Sequence, residues 1–172
     1  KDLWTKSKGV PQEVRKHITS RTIEFPSDET VLRDAVDQDI YGGRMARFVI
    51  GEYEKSLQAP SPEPLTDLPE ITIDHVMPQI RSGDWTSAIS AEDHERLIHT
   101  WGNLVPLSNK ANSLKGNKGF NFAKELLQKE TKFLSARAVL EETDWTASKI
   151  EERGRALAKW ATTRWPNFES DS

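Results

Sequence analysis

The 172-residue chain contains no cysteine. That absence excludes disulfides and every thiolate metal site, so a metal bound here would take carboxylate, amide, imidazole or water ligands, which suits magnesium or manganese. It also makes a reducing, cytoplasmic location the expectation. Long apolar runs are missing too. Hydrophobic residues make up 35% and charged residues 30% of the chain, with a mean hydropathy of -0.68, the profile of a helix-rich soluble protein with no membrane span. There is no internal repeat, no low-complexity tract, no initial methionine and no export or transit pattern, so a fragment of a longer polypeptide is expected. Nor is there an excess of positive charge. A formal net charge of -3 argues against a free-standing, non-specific nucleic-acid binder, because counterion release needs clustered cations. Local charge departs from the total, however: between Trp101 and Phe133 six lysines stand against two glutamates.

What is present reads first as helices. Residues 1–58 form a helical N-terminal part, with a weak helical spacing at Trp4, Val10, Val14 and Ile18. A firmer start lies at Ser27, with Asp28 and Glu29 in the first turn and an apolar face of Val31, Leu32, Val36 and Ile40. Gly42 and Gly43 end that helix. Arg44 to Gln58 follows, with Met45, Phe48, Val49, Tyr53 and Leu57 at helical intervals. Residues 59–69, with prolines at 60, 62, 64 and 69, read as an extended linker. Residues 70–172 then carry the site and the C-terminal helices as one compact unit. Within them Arg81 to Ser90 reads as a polar loop, Ala91 to Trp101 as a short helix capped by Ser90, Phe120 to Leu140 as helical, and Asp144 as the cap of a last helix stopped by Pro166.

Two segments carry the chemistry. Ile71-Thr72-Ile73-Asp74-His75-Val76-Met77-Pro78-Gln79 is a short alternating strand that ends in Asp-His and is stopped by proline. Gly102-Asn103-Leu104-Val105-Pro106-Leu107 is a second strand, followed at Ser108 by a helix start that brings in Asn112. Phosphodiester cleavage needs a base to activate water, a cation to neutralise developing charge, and fixed in-line geometry. Neighbouring strand residues point to opposite faces, so Asp74 and His75 can straddle one phosphate. Histidine is the natural base near neutral pH.

Asp74-His75-Val76-Met77-Pro78-Gln79, then Asn103, then Asn112 nine positions later, resembles the His-Me finger (HNH) nucleases with their ββα-metal arrangement, including the HNH domain of the RNA-guided CRISPR nuclease. With His99-Thr100-Trp101-Gly102-Asn103-Leu104, the Asn112 to Phe120 segment, the terminal pattern Trp145, Ile150, Arg153, Leu157, Trp165, and Tyr41 with the helix after it, the chain from about Pro26 onward looks like the C-terminal nuclease domain of GmrSD-type, type IV-like restriction endonucleases, a group that includes SspE-like phage-defence proteins. The resemblance implies an α+β, mostly helical fold whose ββα-metal core is wrapped by N- and C-terminal helices. It implies His75 as general base, Asp74 and Asn112 as ligands of one Mg2+ or Mn2+, and Asn103 as the residue that steadies the loop bearing the base. Lys110, Lys115 and Lys118 are the expected phosphate contacts. The implied activity is metal-dependent DNA endonuclease or nickase action on phage DNA, with double-stranded DNA as partner and an N-terminal NTP-using, modification-sensing domain of the same polypeptide in control. Two departures stand out: Asn112 occupies a position that is histidine in many relatives, and the spacer between the motif halves is longer than in minimal HNH sites.

Blander readings apply to other residues. His94 and His99 are expected at a helix surface or core edge, His17 in solvent, and Trp145, Trp160 and Trp165 in the core rather than stacked on bases. The rivals are a non-catalytic DNA- or protein-binding module on the same fold and a toxin-like ribonuclease.

Overall fold

A computed structural model describes residues 26–59 and 71–166. The expected helix around Trp4 to Ile18, with His17, and the prolines of the linker lie outside the described residues. Helix α1 (Asp28–Asp37) starts where Ser27 accepts a hydrogen bond from the Thr30 amide at 3.2 Å. It stops before Ile40, contrary to expectation, because Gln38 turns extended and the Ile40 N–H donates to the His99 carbonyl at 3.1 Å instead of continuing the helix. Helix α2 (Arg44–Gln58) buries Ala46, Val49, Ile50, Gly51, Glu54 and Gln58, while Met45 and Phe48 are exposed. Its inward face is thus turned from the one that apolar spacing picks out. The reason is a polar anchor: fully buried Glu54 accepts from the amides of Leu134 and Ser135, from the Ser135 hydroxyl and from Gln58 Nε2, at 2.6 to 2.9 Å. A carboxylate with that many donors is stable in a core.

Strands β1 (Thr72–His75) and β2 (Leu104–Leu107) form an antiparallel ribbon that pairs Thr72 with Leu107, Ile73 with Pro106, Asp74 with Val105 and His75 with Leu104. Paired residues share a face, so Asp74 lies on the side of Val105 and Leu107, and His75 on the side of Leu104. Between the strands, the expected polar loop holds a short helix α3 (Trp85–Ala88), because Trp85 is 1% exposed and its indole N–H donates to the Lys118 carbonyl. Helix α4 (Ala91–Leu97) follows, capped by Ser90. A 3-10 turn at Trp101–Asn103 leads into β2. Glycine is required at 102, where a β-carbon would collide with the Ile150 carbonyl.

Ser108 caps α5 (Asn109–Lys115), and α6 (Phe120–Glu130), α7 (Leu134–Arg137) and a 3-10 turn at Ala138–Glu141 follow. Helix α8 (Ala147–Arg164) begins later than expected, with Thr146 rather than Asp144 as cap. Trp145 is withdrawn from the helix to put its indole N–H on Asn103 Oδ1 at 3.1 Å. Trp85, Trp101 and Trp145 are buried, whereas Trp165 is 36% exposed. The core forms two apolar clusters. One joins Val76, Met77, Trp85, Leu97, Val105, Leu107 and Trp145; the other joins α2 and α8 to Trp101 and Leu104. The result is α+β and mostly helical, with the ribbon between the clusters. No helix of the described residues is long and apolar enough to cross a membrane.

Candidate active site

β1 ends on His75, and the backbone beyond it is latched by Asn103. This fully buried amide accepts from the Met77 N–H at 2.8 Å and donates to the carbonyls of Met77 and Ile98, both at 2.9 Å. Its own carbonyl accepts from the Val76 N–H at 2.9 Å. Asn103 is held in turn by Arg153, whose guanidinium donates to the carbonyls of Trp101, Gly102 and Leu104. The loop after the histidine is therefore fixed by complementary donors and acceptors from a single side chain.

His75 is 2% exposed. Its Nε2 lies 3.0 Å from His99 Nδ1, and its Nδ1 lies 3.5 Å from Gln79 Nε2. The Tyr41 ring covers it with centroids 4.2 Å apart and stacks on His99 at 5.2 Å and an interplanar angle of 6°. Tyr41 is presented by a tight turn: its N–H donates to Asp39 Oδ1, and Gly42 follows at φ 82°, a conformation that favours glycine. Burial, followed by the charges of His99, Lys115 and His94, pushes the His75 pKa down to about 3. At neutral pH its imidazole is uncharged and retains one lone pair.

Asp74 faces the other way. Its Oδ2 lies 3.1 Å from the ammonium of Lys115, which is itself buried as the last residue of α5. The contact is an ion pair without hydrogen-bond geometry, and Oδ2 is a buried oxygen with no hydrogen-bond donor. Burial raises the Asp74 pKa, and Lys115 opposes the rise. Asn112 sits one turn before Lys115 on α5 and lines an open pocket with Tyr41 and the start of α2.

The fold thus gathers Asp74, His75, Asn103 and Lys115, with Asn112 on the adjoining wall. Lys110 and Lys118 are placed elsewhere. Lys110 pairs with Glu130 at 2.7 Å, and the Lys118 ammonium stands 3.9 Å from the centre of the Phe122 ring. His99 is not the bland edge residue that its surroundings in sequence imply, since it is the hydrogen-bond partner of His75. Tyr41, one of two tyrosines in the chain, joins it from a distant segment. A weak signal for His99 exists in the crowding of three of the four histidines between 75 and 99. Tyr41 lies within the stretch that carries the family resemblance, but no spacing signals its contact with His75.

Among the described residues no group of three or more histidine, cysteine, aspartate or glutamate side chains could hold a metal. The donors present still suit one class of ion. A buried carboxylate oxygen that lacks a donor and already attracts a cation, with an amide nearby, is a hard oxygen set, and magnesium takes one or two carboxylates while keeping several waters.

A search of curated proteins and a search of solved structures gave no match. The family model of the C-terminal domain of GmrSD restriction endonucleases matches residues 25–160.

Proposed function

From the premise that this chain belongs to the GmrSD restriction endonuclease C-terminal domain family, we propose that it is the domain that hydrolyses DNA phosphodiesters, with His75 as general base. The observation that carries the reading is the divergence of His75 and Asp74 at the end of one latched strand, with a neutral imidazole on one face and an under-bonded carboxylate on the other.

In the productive tautomer His75 Nε2–H donates to His99 Nδ1, and the His75 Nδ1 lone pair, which the Gln79 amide approaches at 3.5 Å, takes a proton from the attacking water once Gln79 gives way. His99 fixes that tautomer, and Asn103 fixes the strand end that presents the ring. Asp74 and Asn112 would hold one Mg2+ or Mn2+ ion. When bound, such an ion neutralises charge that develops on the phosphoryl and leaving oxygens. The P–O3′ bond breaks, giving a 5′-phosphate and a 3′-hydroxyl. Target choice belongs to a modification-sensing, NTP-using domain of the same polypeptide, and phage DNA is the target. The rival reading, a non-catalytic module, draws on the Lys115 ammonium that already neutralises Asp74.

Supercoiled plasmid and RNA, each with magnesium, manganese or EDTA, separate these readings. Wild type should nick or cut plasmid only with metal, and His75→Ala should be slower by about 10²- to 10⁴-fold, the usual worth of a general base. Equal behaviour of the two proteins toward DNA would sink the enzyme reading. Cleavage confined to RNA would make it a ribonuclease.

A further inference from the structure

Four of the six lysines between the second strand and Phe133 are engaged within the protein, while Lys129 and Lys132 are exposed in and after the last turn of α6. Lys110 is on Glu130, Lys115 on Asp74, Lys118 over the Phe122 ring, and Lys124 on the Glu142 carbonyl. At the start of α2, beside the site, the arginines differ from these lysines. An open pocket of about 470 Å3 is lined by Tyr41, Gly42, Gly43, Arg44, Arg47 and Asn112. Arg44 and Arg47 are exposed, and among the described residues neither meets a carboxylate; Arg47 donates to the Ile71 carbonyl at 2.8 Å. Arg33, Arg96, Arg155 and Arg164, in contrast, each lie on an aspartate or glutamate. The cations that line the pocket, Arg44 and Arg47, both come from α2 and have no carboxylate partner among the described residues.

We propose that this pocket seats the sugar–phosphate backbone of the DNA strand, with Arg44 and Arg47 as its phosphate contacts. The inference rests on the nuclease reading and adds the course of the strand. Three features support it. A guanidinium without an internal counterion offers forked donors that match phosphate oxygens. The consecutive glycines at 42 and 43 leave that stretch of the wall without side chains, so a backbone can approach it closely. Asn112 and Tyr41 belong to the wall, and the Tyr41 ring is 4.2 Å from that of His75, so a strand lying here runs beside the base. The volume suits one nucleotide unit rather than a whole duplex, which fits capture of a single strand's backbone at the point of cutting.

The test is fluorescence anisotropy of a labelled DNA duplex with the wild-type chain in EDTA, repeated over a range of salt, with plasmid cleavage in magnesium read separately. Among the described residues Arg44 makes no side-chain hydrogen bond or ion pair, so Arg44→Glu should fold as wild type does, which a thermal melt verifies. It should weaken duplex binding about tenfold and lower the salt slope by about one. Arg44→Gln should fall between, Arg47→Lys should retain most of the affinity, and Lys110→Gln and Lys118→Gln should each change it less than about twofold. Unchanged affinity and slope in Arg44→Glu, or larger losses in the lysine variants, overturn the proposal. Arg44-dependent binding without any cleavage by wild type would remove the nuclease reading and leave the groove. Cleavage by wild type with Arg44→Glu binding normally would remove the groove and leave the nuclease.

Discussion

On one face of the ribbon His75 is enclosed by the His99 imidazole, the Gln79 amide and the Tyr41 ring, above a loop latched by Asn103. On the other face, among the described residues, Asp74 is paired with Lys115 and keeps an oxygen without a donor. Two residues adjacent in sequence thus sit in surroundings finished to different degrees. Groups that must keep one tautomer and one direction need their hydrogen bonds in place before substrate arrives. A carboxylate that is to exchange one cation for another is better left with an uncommitted oxygen. On the proposed reading, the difference would separate a preorganised base from a cation site kept open by a replaceable ammonium.

The largest expected effect lies on the preorganised face. Asn103→Ala removes the side-chain bonds to Met77, Ile98 and the Trp145 indole and leaves those groups buried, so unfolding by denaturant should register a loss of about 3–5 kcal/mol. A loss below about 1 kcal/mol would mean that the loop does not depend on the latch. Acid should expose the same face. The folded-state pKa of His75 is depressed to about 3 from 6.5, so between those values the folded protein binds fewer protons than the unfolded chain. Stability contributed by the neutral ring is complete above about pH 6.5 and falls as pH drops. From pH 6.5 to 5 the loss should be about 2 kcal/mol, and His75→Gln should flatten that part of the profile. An identical pH profile in the variant would show that the ring is not buried neutral.

The smallest effect tests the open face. Lys115→Met removes the ammonium from Asp74 while keeping an unbranched chain, so Mn2+ binding by titration calorimetry should tighten by about tenfold, or about 1.4 kcal/mol. Weaker binding would instead make Lys115 an organiser of the cation site, and the contrast between the faces would disappear.

Much of this was legible in the sequence, for identifiable reasons. Ser27, Ser90 and Ser108 each cap a helix start as their chemistry predicts, and the short apolar runs that end at His75 and Leu107 form the ribbon. Misreadings arose where a distant partner decides the outcome. The inward face of α2 is set by Glu54 bonding to residues 134 and 135, and Trp145 is drawn out of α8 by Asn103. Lys115 looks like a solvent cation by composition and is buried because Asp74 receives it. His99 and Tyr41 could not be attached to the site by spacing, since their contact with His75 depends on how α1, α2 and the ribbon dock.

Tyr41, His75 and His99 come from three separated stretches, and each completes the surroundings of the others. A chain still emerging from the ribosome, or one locally unfolded at the α1–α2 turn, would have the histidine without its partners. Completed folding would then serve as a safety catch on whatever chemistry His75 carries, with damaged or unfinished copies disarmed.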